Sequence, residues 1–317
     1  MEQNSLKTQR VRQVDLAKTA AIVCVVLIHV SSGPLLREDP DTSRWMQSLV
    51  WGSASRFAVP LFFWAAAYVV APFVYRWNFD WSAIGKGLRD VLLWHHEQHL
   101  YFLHIMLLVY AALPLTRSFL HRLDEKMLRY ALVFWLVTGS LLPTLKSLGL
   151  FFASGIPAQW PLSMTWSAIG CTALGWFLRK KPLRVRTSIM CVLLGFAICY
   201  GGTAALSLQK GALSSQLLGG LSPGPLLMAT GVFCLCGSIS PKLPKLLQKG
   251  AEAGGKASFG IYLAHEFVLS AFHVFGVTTC FAPPLLSIPA LAAVCILSTF
   301  AGVFVLSKIP VVKRWLV

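Results

Sequence analysis

Four polar residues near the start of the chain have types and spacings suited to chemistry. Asp15, Lys18, His29 and Ser32 are separated by three, eleven and three positions within an otherwise apolar stretch. Eleven residues of α-helix make three whole turns plus about 20°, so Lys18 and His29 share a face, roughly 16 Å apart along the axis. Asp15 and Ser32 lie close to that face. Because histidine exchanges protons near neutral pH, His29 is a candidate for acid–base chemistry.

The same residues have a structural interpretation if the stretch is a membrane helix. Asp15 and Lys18 are then commonly anchors at the membrane surface, and for these two alone we favour that interpretation. His29 could pack against a neighbouring helix. Ionisable groups deep in a membrane are costly, however, and usually serve function, so we favour a functional role for His29.

Two later stretches also carry ionisable residues in apolar surroundings. Arg56 lies about two turns into a second predicted helix, where a guanidinium needs an anion or a carbonyl partner. Snorkelling to the membrane surface is an alternative of nearly equal weight. Glu266 follows His265 near the middle of another apolar stretch. It could pair with Arg56 or hold a histidine in one tautomer, and the sequence leaves both open.

The run from His95 to His99 contains three histidines and invites a metal interpretation, because His95 and His99 are one helical turn apart. Zinc sites usually draw ligands from more than one segment and need a defined third ligand. The run also lies at a predicted membrane interface, where histidines are unremarkable. We therefore predict no metal site.

Composition excludes an ordinary soluble domain. Of the 317 residues, 56% are hydrophobic and only 13% charged, whereas soluble domains carry about a quarter charged residues. The 28 Lys and Arg against 12 Asp and Glu give a net charge of +16. They form short clusters between apolar runs, as in the cytoplasmic loops of membrane proteins. We therefore predict no nucleic-acid partner.

Apolar stretches of membrane-spanning length dominate the chain. A spanning helix needs about 20 predominantly apolar residues, and nine stretches qualify: 14–33, 48–72, 99–116, 128–148, 162–178, 187–207, 224–240, 257–276 and 285–307. No linker or repeat divides them. The prediction is an all-α, polytopic integral membrane helix bundle forming a single domain over residues 1–317.

The distribution of basic residues predicts an orientation. Lys and Arg are enriched in the tail before residue 19, in the loops 179–186 and 241–256, and in the C-terminal segment from residue 308. Basic loops remain on the cytoplasmic side, so we expect both termini to be cytoplasmic. Nine crossings cannot place both termini on one side. A further segment between Pro72 and His99 must therefore cross the membrane. Residues 82–98, however, are too charged to form a good membrane span.

Four short motifs, taken together, resemble the acyltransferase-3 family of bacterial integral-membrane O-acyltransferases. That family opens with an acidic residue, a basic residue three positions later, then ten residues and a histidine, matched by Asp15, Lys18 and His29. Its second helix resembles Ser53–Arg56 followed by Val59–Phe63. The two later motifs are matched by His99, Leu100, Tyr101 and Phe102, and by Ser258, Gly260, Ile261, Tyr262, Leu263 and His265.

The resemblance implies transfer of an acyl group from cytoplasmic acyl-CoA, usually acetyl-CoA, to a hydroxyl of a cell-surface glycan or its lipid-linked precursor. It implies His29 as catalytic base or acyl carrier, Lys18 on a CoA phosphate, and Arg56 on the donor or the oxyanion. Acetyl-CoA would act as a substrate, with no tightly bound cofactor, in the bacterial inner membrane and in contact with its lipid. Supporting residues would be Asp15, Ser32, His99, Tyr101, Tyr262, His265 and Glu266.

One departure from the family concerns residues 69–98. The family has a further membrane helix before the His-Leu-aromatic-Phe motif, and this segment is too short and too charged to supply it. We therefore expect one family helix to be missing and activity to be reduced. Two other functions remain open: a non-catalytic relative that helps to export a glycan, and a transporter in which His29, Arg56 and Glu266 form a relay.

Overall fold

The computed structural model describes residues 12–58, 101–150, 159–306 and 308. Within these ranges the chain is helical, and no strand occurs in them. The eleven α-helices of the described ranges are α1 Arg12–Arg37, α2 Ser43–Ala54, α3 Tyr101–Arg122, α4 Glu125–Leu136, α5 Leu142–Ser147, α6 Met164–Lys180, α7 Val185–Ala197, α8 Thr203–Lys210, α9 Pro223–Ile239, α10 Lys245–Val274 and α11 Pro284–Leu306. The all-α prediction is confirmed.

Several short elements connect or extend these helices. Single π-helical turns at Val137–Leu141 and Ile198–Gly202 join α4 to α5 and α7 to α8 into longer continuous helices. Three 3₁₀ turns lie at Ser215–Leu218, Ser240–Lys242 and Thr279–Phe281.

Five helices in the described ranges are long and apolar enough to cross a membrane: Arg12–Arg37, Glu125–Ser147, Val185–Lys210, Ser215–Lys242 and Pro284–Leu306. Each coincides with one of the nine predicted spans. The chain is therefore a multi-pass membrane protein, while the count of nine spans stays a prediction. The predicted gap at 69–98 lies outside the described residues.

The first helix is longer than predicted. The Gly33-Pro34 pair predicts its end, but α1 continues through Pro34 to Arg37. Proline removes one backbone N–H and usually kinks or ends a helix. Here the following turn still forms, because the Glu38 N–H donates to the Pro34 carbonyl at 3.0 Å. As a result, the end of α1 carries an arginine that the sequence pattern places in a loop.

A turn at residues 55–57 interrupts the second predicted helix, and this changes the position of Arg56. Thr42 caps α2 by accepting the Trp45 N–H, and α2 ends at Ala54. The Ser55 hydroxyl then donates to the Trp51 carbonyl at 2.6 Å. The Arg56 N–H donates to the Ser53 carbonyl at 3.2 Å, three residues back, so the α-helical pattern is lost at this point. Arg56 therefore lies in a turn and not two turns into a continuous helix, which corrects the prediction.

Helices α1, α2, α10 and α11 pack around one apolar cluster. Val26, Leu27 and Val30 of α1 are buried against Ile288 and Leu291 of α11. Outside this region, many large apolar side chains of α3, α4 and α7 are exposed, among them Phe119, Phe134 and Leu193. Exposed apolar faces of this kind suit contact with lipid.

Candidate functional site

His29 of α1 and Glu266 of α10 meet within the bundle. Nδ1 of His29 contacts a carboxylate oxygen of Glu266, and the two side chains are 29% and 20% exposed. A carboxylate only accepts hydrogen bonds, so Nδ1 carries a proton in this contact, and a neutral His29 ring then has its lone pair on Nε2. The sequence left open whether Glu266 pairs with Arg56 or with a histidine. The structure shows the pairing with a histidine, His29.

A second histidine, His265, lies beside this pair and is fully buried. Its Nδ1 is 2.6 Å from the Tyr262 carbonyl oxygen and 3.2 Å from that of Ile261. Carbonyl oxygens only accept, so Nδ1 carries the proton and Nε2 the lone pair. That Nε2 is 4.0 Å from Oε1 of Glu266. The two histidine rings are 5.0 Å apart between centroids and meet edge to face at 61°.

Small residues on α10 bring the two helices together. The Thr19 hydroxyl donates to the Ala251 carbonyl at 2.9 Å. A Cβ added at Gly254 would lie 2.7 Å from Oγ1 of Thr19, and one at Gly255 would lie 3.0 Å from Asp15. Small residues let membrane helices approach closely. These contacts join the early turns of α1 to the early turns of α10, and His29 meets Glu266 later in both helices, so α1 and α10 run parallel. This arrangement places His29 against Glu266.

A cavity of about 450 Å³ extends from His29 and Glu266 to Arg37 and His273 at the ends of the two helices. Glu266 and His273 are seven residues apart, so they share one face of α10 about two turns apart. At the far end Nη2 of Arg37 lies 3.4 Å from Nε2 of His273. The other polar residues along the cavity are Ser32, Glu38, Ser270, Thr278, Thr279 and Cys280.

The remaining predicted residues of α1 lie on both sides of His29. The Ser32 hydroxyl donates to the His29 carbonyl at 2.7 Å, and Ser32 faces the cavity. Asp15 is buried where α1 crosses α10. Lys18 is half-buried and is not among the residues that line the cavity. Since α1 is unbroken between Lys18 and His29, their predicted axial spacing is retained.

Arg56 is separated from this cavity. Its Nε donates to the Gly52 carbonyl at 3.0 Å, which is the carbonyl partner that the sequence required. Arg56 is not among the residues that line the cavity next to His29.

Three further residues were predicted from the sequence to support the site. Tyr262 is buried, with its ring 5.9 Å from that of His265. Tyr101 begins α3, but its side chain lies outside the described part of the chain. His99, like the run His95–His99 as a whole, lies outside the described residues.

Sequence reasoning missed Arg37 and His273. Arg37 was missed because the proline three residues earlier predicts an end to α1. The seven-residue spacing from Glu266 to His273 is a helical-face signal that could have identified the second residue.

The arrangement offers a histidine base held by a carboxylate, a second histidine in a fixed tautomer, and a cavity beside them. A carboxylate on one ring nitrogen favours proton transfer at the other. The ligand atoms of His29, His265 and Glu266 also lie within 4.8 Å of one another.

Comparison with known proteins identifies the protein family of this chain. The family model described as an acyltransferase domain, Acyl_transf_3, matches residues 73–308. This range includes Glu266 and His265 on α10, and it begins after α1. No curated protein and no solved structure matches the chain. Because the match covers well over half of the 317 residues, the chain belongs to the acyltransferase-3 family.

Proposed function

We propose that this protein is a membrane O-acyltransferase that moves an acetyl group from acetyl-CoA to a hydroxyl of a cell-surface glycan or its lipid-linked precursor. The observation that carries the proposal is the contact between Nδ1 of His29 and the Glu266 carboxylate beside a cavity. Family membership supplies the reaction class. The contact supplies a base suited to that class.

A sugar hydroxyl is a weak nucleophile, so its attack on a thioester needs a base. In the proposed step, Nε2 of His29 takes the hydroxyl proton while the hydroxyl oxygen attacks the acetyl carbonyl carbon. The Glu266 carboxylate stabilises the imidazolium that forms. The C–S bond then breaks, and the CoA thiolate takes the proton from His29. The products are the O-acetylated glycan and CoA-SH.

A two-step route uses the same residues. His29 Nε2 would first accept the acetyl group itself, releasing CoA, and the sugar hydroxyl would then attack the acetyl-imidazole. The routes differ in one observable respect: only the second leaves labelled acetyl on the protein when no acceptor is present.

We propose that acetyl-CoA approaches from the Lys18 side of α1 and the acceptor from the cavity. Lys18 would hold a CoA phosphate as a compact cation, and Arg56 would assist donor binding. The distance of roughly 16 Å from Lys18 to His29 along α1 suits an extended donor arm. The cavity, with its several hydroxyl-bearing residues, would hold the sugar.

We propose that the Lys18 end of the bundle is cytoplasmic. Gln13 of α1 donates to the Phe233 carbonyl near the end of α9, and Thr19 to Ala251 near the start of α10. The basic segment 241–256 therefore lies at the same end of the bundle as the first turns of α1. Basic residues collected at one end are typical of the cytoplasmic side. The cavity end would then face outward in a bacterial inner membrane.

The motifs resemble those of a family member, the O-acetyltransferase that acts on enterobacterial common antigen. We propose an acceptor of that class, a polysaccharide or its lipid-linked precursor. The experiment supplies radiolabelled acetyl-CoA to membranes containing the protein and analyses the extracted glycans. Label in glycan, with release of CoA, is expected. Proton-coupled solute flux without label would support a transporter instead, and glycan movement without label would support a non-catalytic export protein.

A further inference from the structure

Three side chains beside the cavity belong to the ligand types that zinc takes. His29, His265 and Glu266, here called the His–His–Glu cluster, offer two imidazole nitrogens and one carboxylate oxygen. All three ligand atoms lie within 4.8 Å of one another. Two histidines and one carboxylate leave the fourth position of a tetrahedral zinc ion for water.

The surroundings of His265 resemble those of a metal ligand. Metal-bound histidines usually donate their second ring N–H to a carbonyl or a carboxylate, which fixes the ring and directs the other nitrogen at the metal. Nδ1 of His265 makes this contact with the Tyr262 carbonyl at 2.6 Å. The lone pair of Nε2 is thereby on the side of Glu266. The cavity beside His29 and Glu266 gives an ion a route to the cluster.

We propose that the His–His–Glu cluster binds Zn²⁺ reversibly and that bound zinc blocks the base. With zinc at about 2.0–2.2 Å from each ligand, the ligand atoms stand a little over 3 Å apart. The His29–Glu266 contact therefore opens, and the 4.0 Å separation between His265 and Glu266 closes. With tetrahedral ligand atoms about 3.4 Å apart, the separation between His265 and Glu266 closes by about 0.6 Å. The most widely spaced ligand atoms, which lie within 4.8 Å of each other, close by no more than about 1.4 Å, within the reach of side-chain rotation.

Zinc would prevent His29 from acting as a base because it changes the tautomer of the His29 ring. In a neutral His29 that contacts Glu266, Nδ1 carries the proton and Nε2 the lone pair. When Nδ1 binds zinc, the proton moves to Nε2, so the neutral ring loses no proton overall. Nε2 can then no longer take a proton from an acceptor hydroxyl or accept an acetyl group. This consequence rests on the proposed function, whereas zinc binding itself does not.

The test measures metal binding on the full-length protein, purified in detergent and freed of metal. Titration calorimetry with Zn²⁺ should give about one equivalent. Co²⁺, used as a coloured substitute, should give the absorption of a tetrahedral ion. His265→Gln and Glu266→Gln should each weaken Zn²⁺ binding by at least about tenfold. Zn²⁺ should also raise the Tm of the unmodified protein and leave that of His265→Gln unchanged.

The matched control is His273→Gln, combined with Cys280→Ser, because these two residues line the same cavity and could themselves bind zinc. This double variant should bind Zn²⁺ as the unmodified protein does. Absence of zinc binding, an octahedral Co²⁺ spectrum in the unmodified protein, or loss of binding only in the double variant would overturn the proposal. A protein that binds zinc but transfers no acetyl group even when freed of metal would refute the proposed function and leave the metal site standing.

Discussion

Thr19 occupies the space that a side chain at residue 254 would need: a Cβ on Gly254 would lie 2.7 Å from both Oγ1 and Cγ2 of Thr19. This close approach holds α1 against α10 and so supports the contact between His29 and Glu266. Four residues earlier on α10, a Cβ on Gly250 would have no neighbouring atom within 4 Å. The two glycines therefore form a matched pair for testing how helix spacing affects the site.

We expect Gly254→Leu to destabilise the protein by about 1–3 kcal/mol, the usual cost of overpacking, and to lower acetyl transfer at least about tenfold by separating the base from its carboxylate. Gly250→Leu should leave both unchanged. Thermal unfolding in detergent and the labelled-acetyl assay measure the two effects. Equal behaviour of the two variants would show that the helix contact does not position the site.

The second prediction concerns the base. His29→Ala should abolish transfer while membrane insertion is retained, because the proposed role is proton transfer or acyl carriage. Glu266→Gln keeps the shape but loses the negative charge, so we expect turnover to fall about 10²–10⁴-fold with little change in the KM for acetyl-CoA. Full activity of an inserted His29→Ala protein would remove His29 from the mechanism.

Lys18 provides a graded test of donor binding. Lys18→Arg should keep most of the activity, because either cation can hold a phosphate. Lys18→Glu should mainly raise the apparent KM for acetyl-CoA, by about tenfold or more. Initial rates measured at a series of acetyl-CoA concentrations distinguish the two variants by their apparent KM. If Lys18→Glu leaves the donor dependence unchanged, Lys18 is only an anchor at the membrane surface.

The eight cysteines give a test of sidedness in the unmodified chain. All eight are free thiols, and Cys280 is the one that is exposed. A membrane-impermeant maleimide added outside intact, outer-membrane-permeabilised cells should therefore label the protein once, and Cys280→Ser should remove the label. Labelling only after the inner membrane is opened would reverse the proposed orientation.

The segment between residues 73 and 98 provides the fifth prediction, which comes from sequence alone. We expect it to form a short interfacial or partly buried helix in place of a full span, and activity to be reduced or absent. Cysteines introduced as Asn78→Cys and Gln98→Cys, with a reporter on the C-terminus, would locate its two ends. An ordinary tenth span together with robust turnover would contradict the idea of a deleted helix.

Hydrophobic length and helical spacing predicted much of this fold. The helical class, the position of α1 and the shared face of Lys18 and His29 follow from apolar runs and a 3.6-residue period. The position at which α1 ends was not predicted. Whether a proline ends a helix depends on the hydrogen bonds that the following turn can form. The turn at residues 55–57 likewise contains no proline or glycine that would predict it.

The contacts of the site were less predictable than its residues. His29, His265 and Glu266 were all identified as candidates, since ionisable residues are conspicuous in apolar sequence. Their pairing was left open because it depends on how α1 crosses α10. That crossing is set by Thr19 against Gly254 and by Asp15 against Gly255, and a one-dimensional pattern does not reveal contacts between segments so far apart in the chain.

The parallel packing of α1 against α10 has a consequence for how the protein is made. His29 belongs to the first helix, yet its carboxylate partner is residue 266 of 317, so most of the chain has left the ribosome before the pair can form. Until then the polar face of α1 lacks the contacts that α10 makes with it in the folded protein. Insertion of the early helices and completion of the site are thus separate events in time. Chains released before α10 is synthesised would still enter the membrane, but none would contain the histidine–glutamate contact.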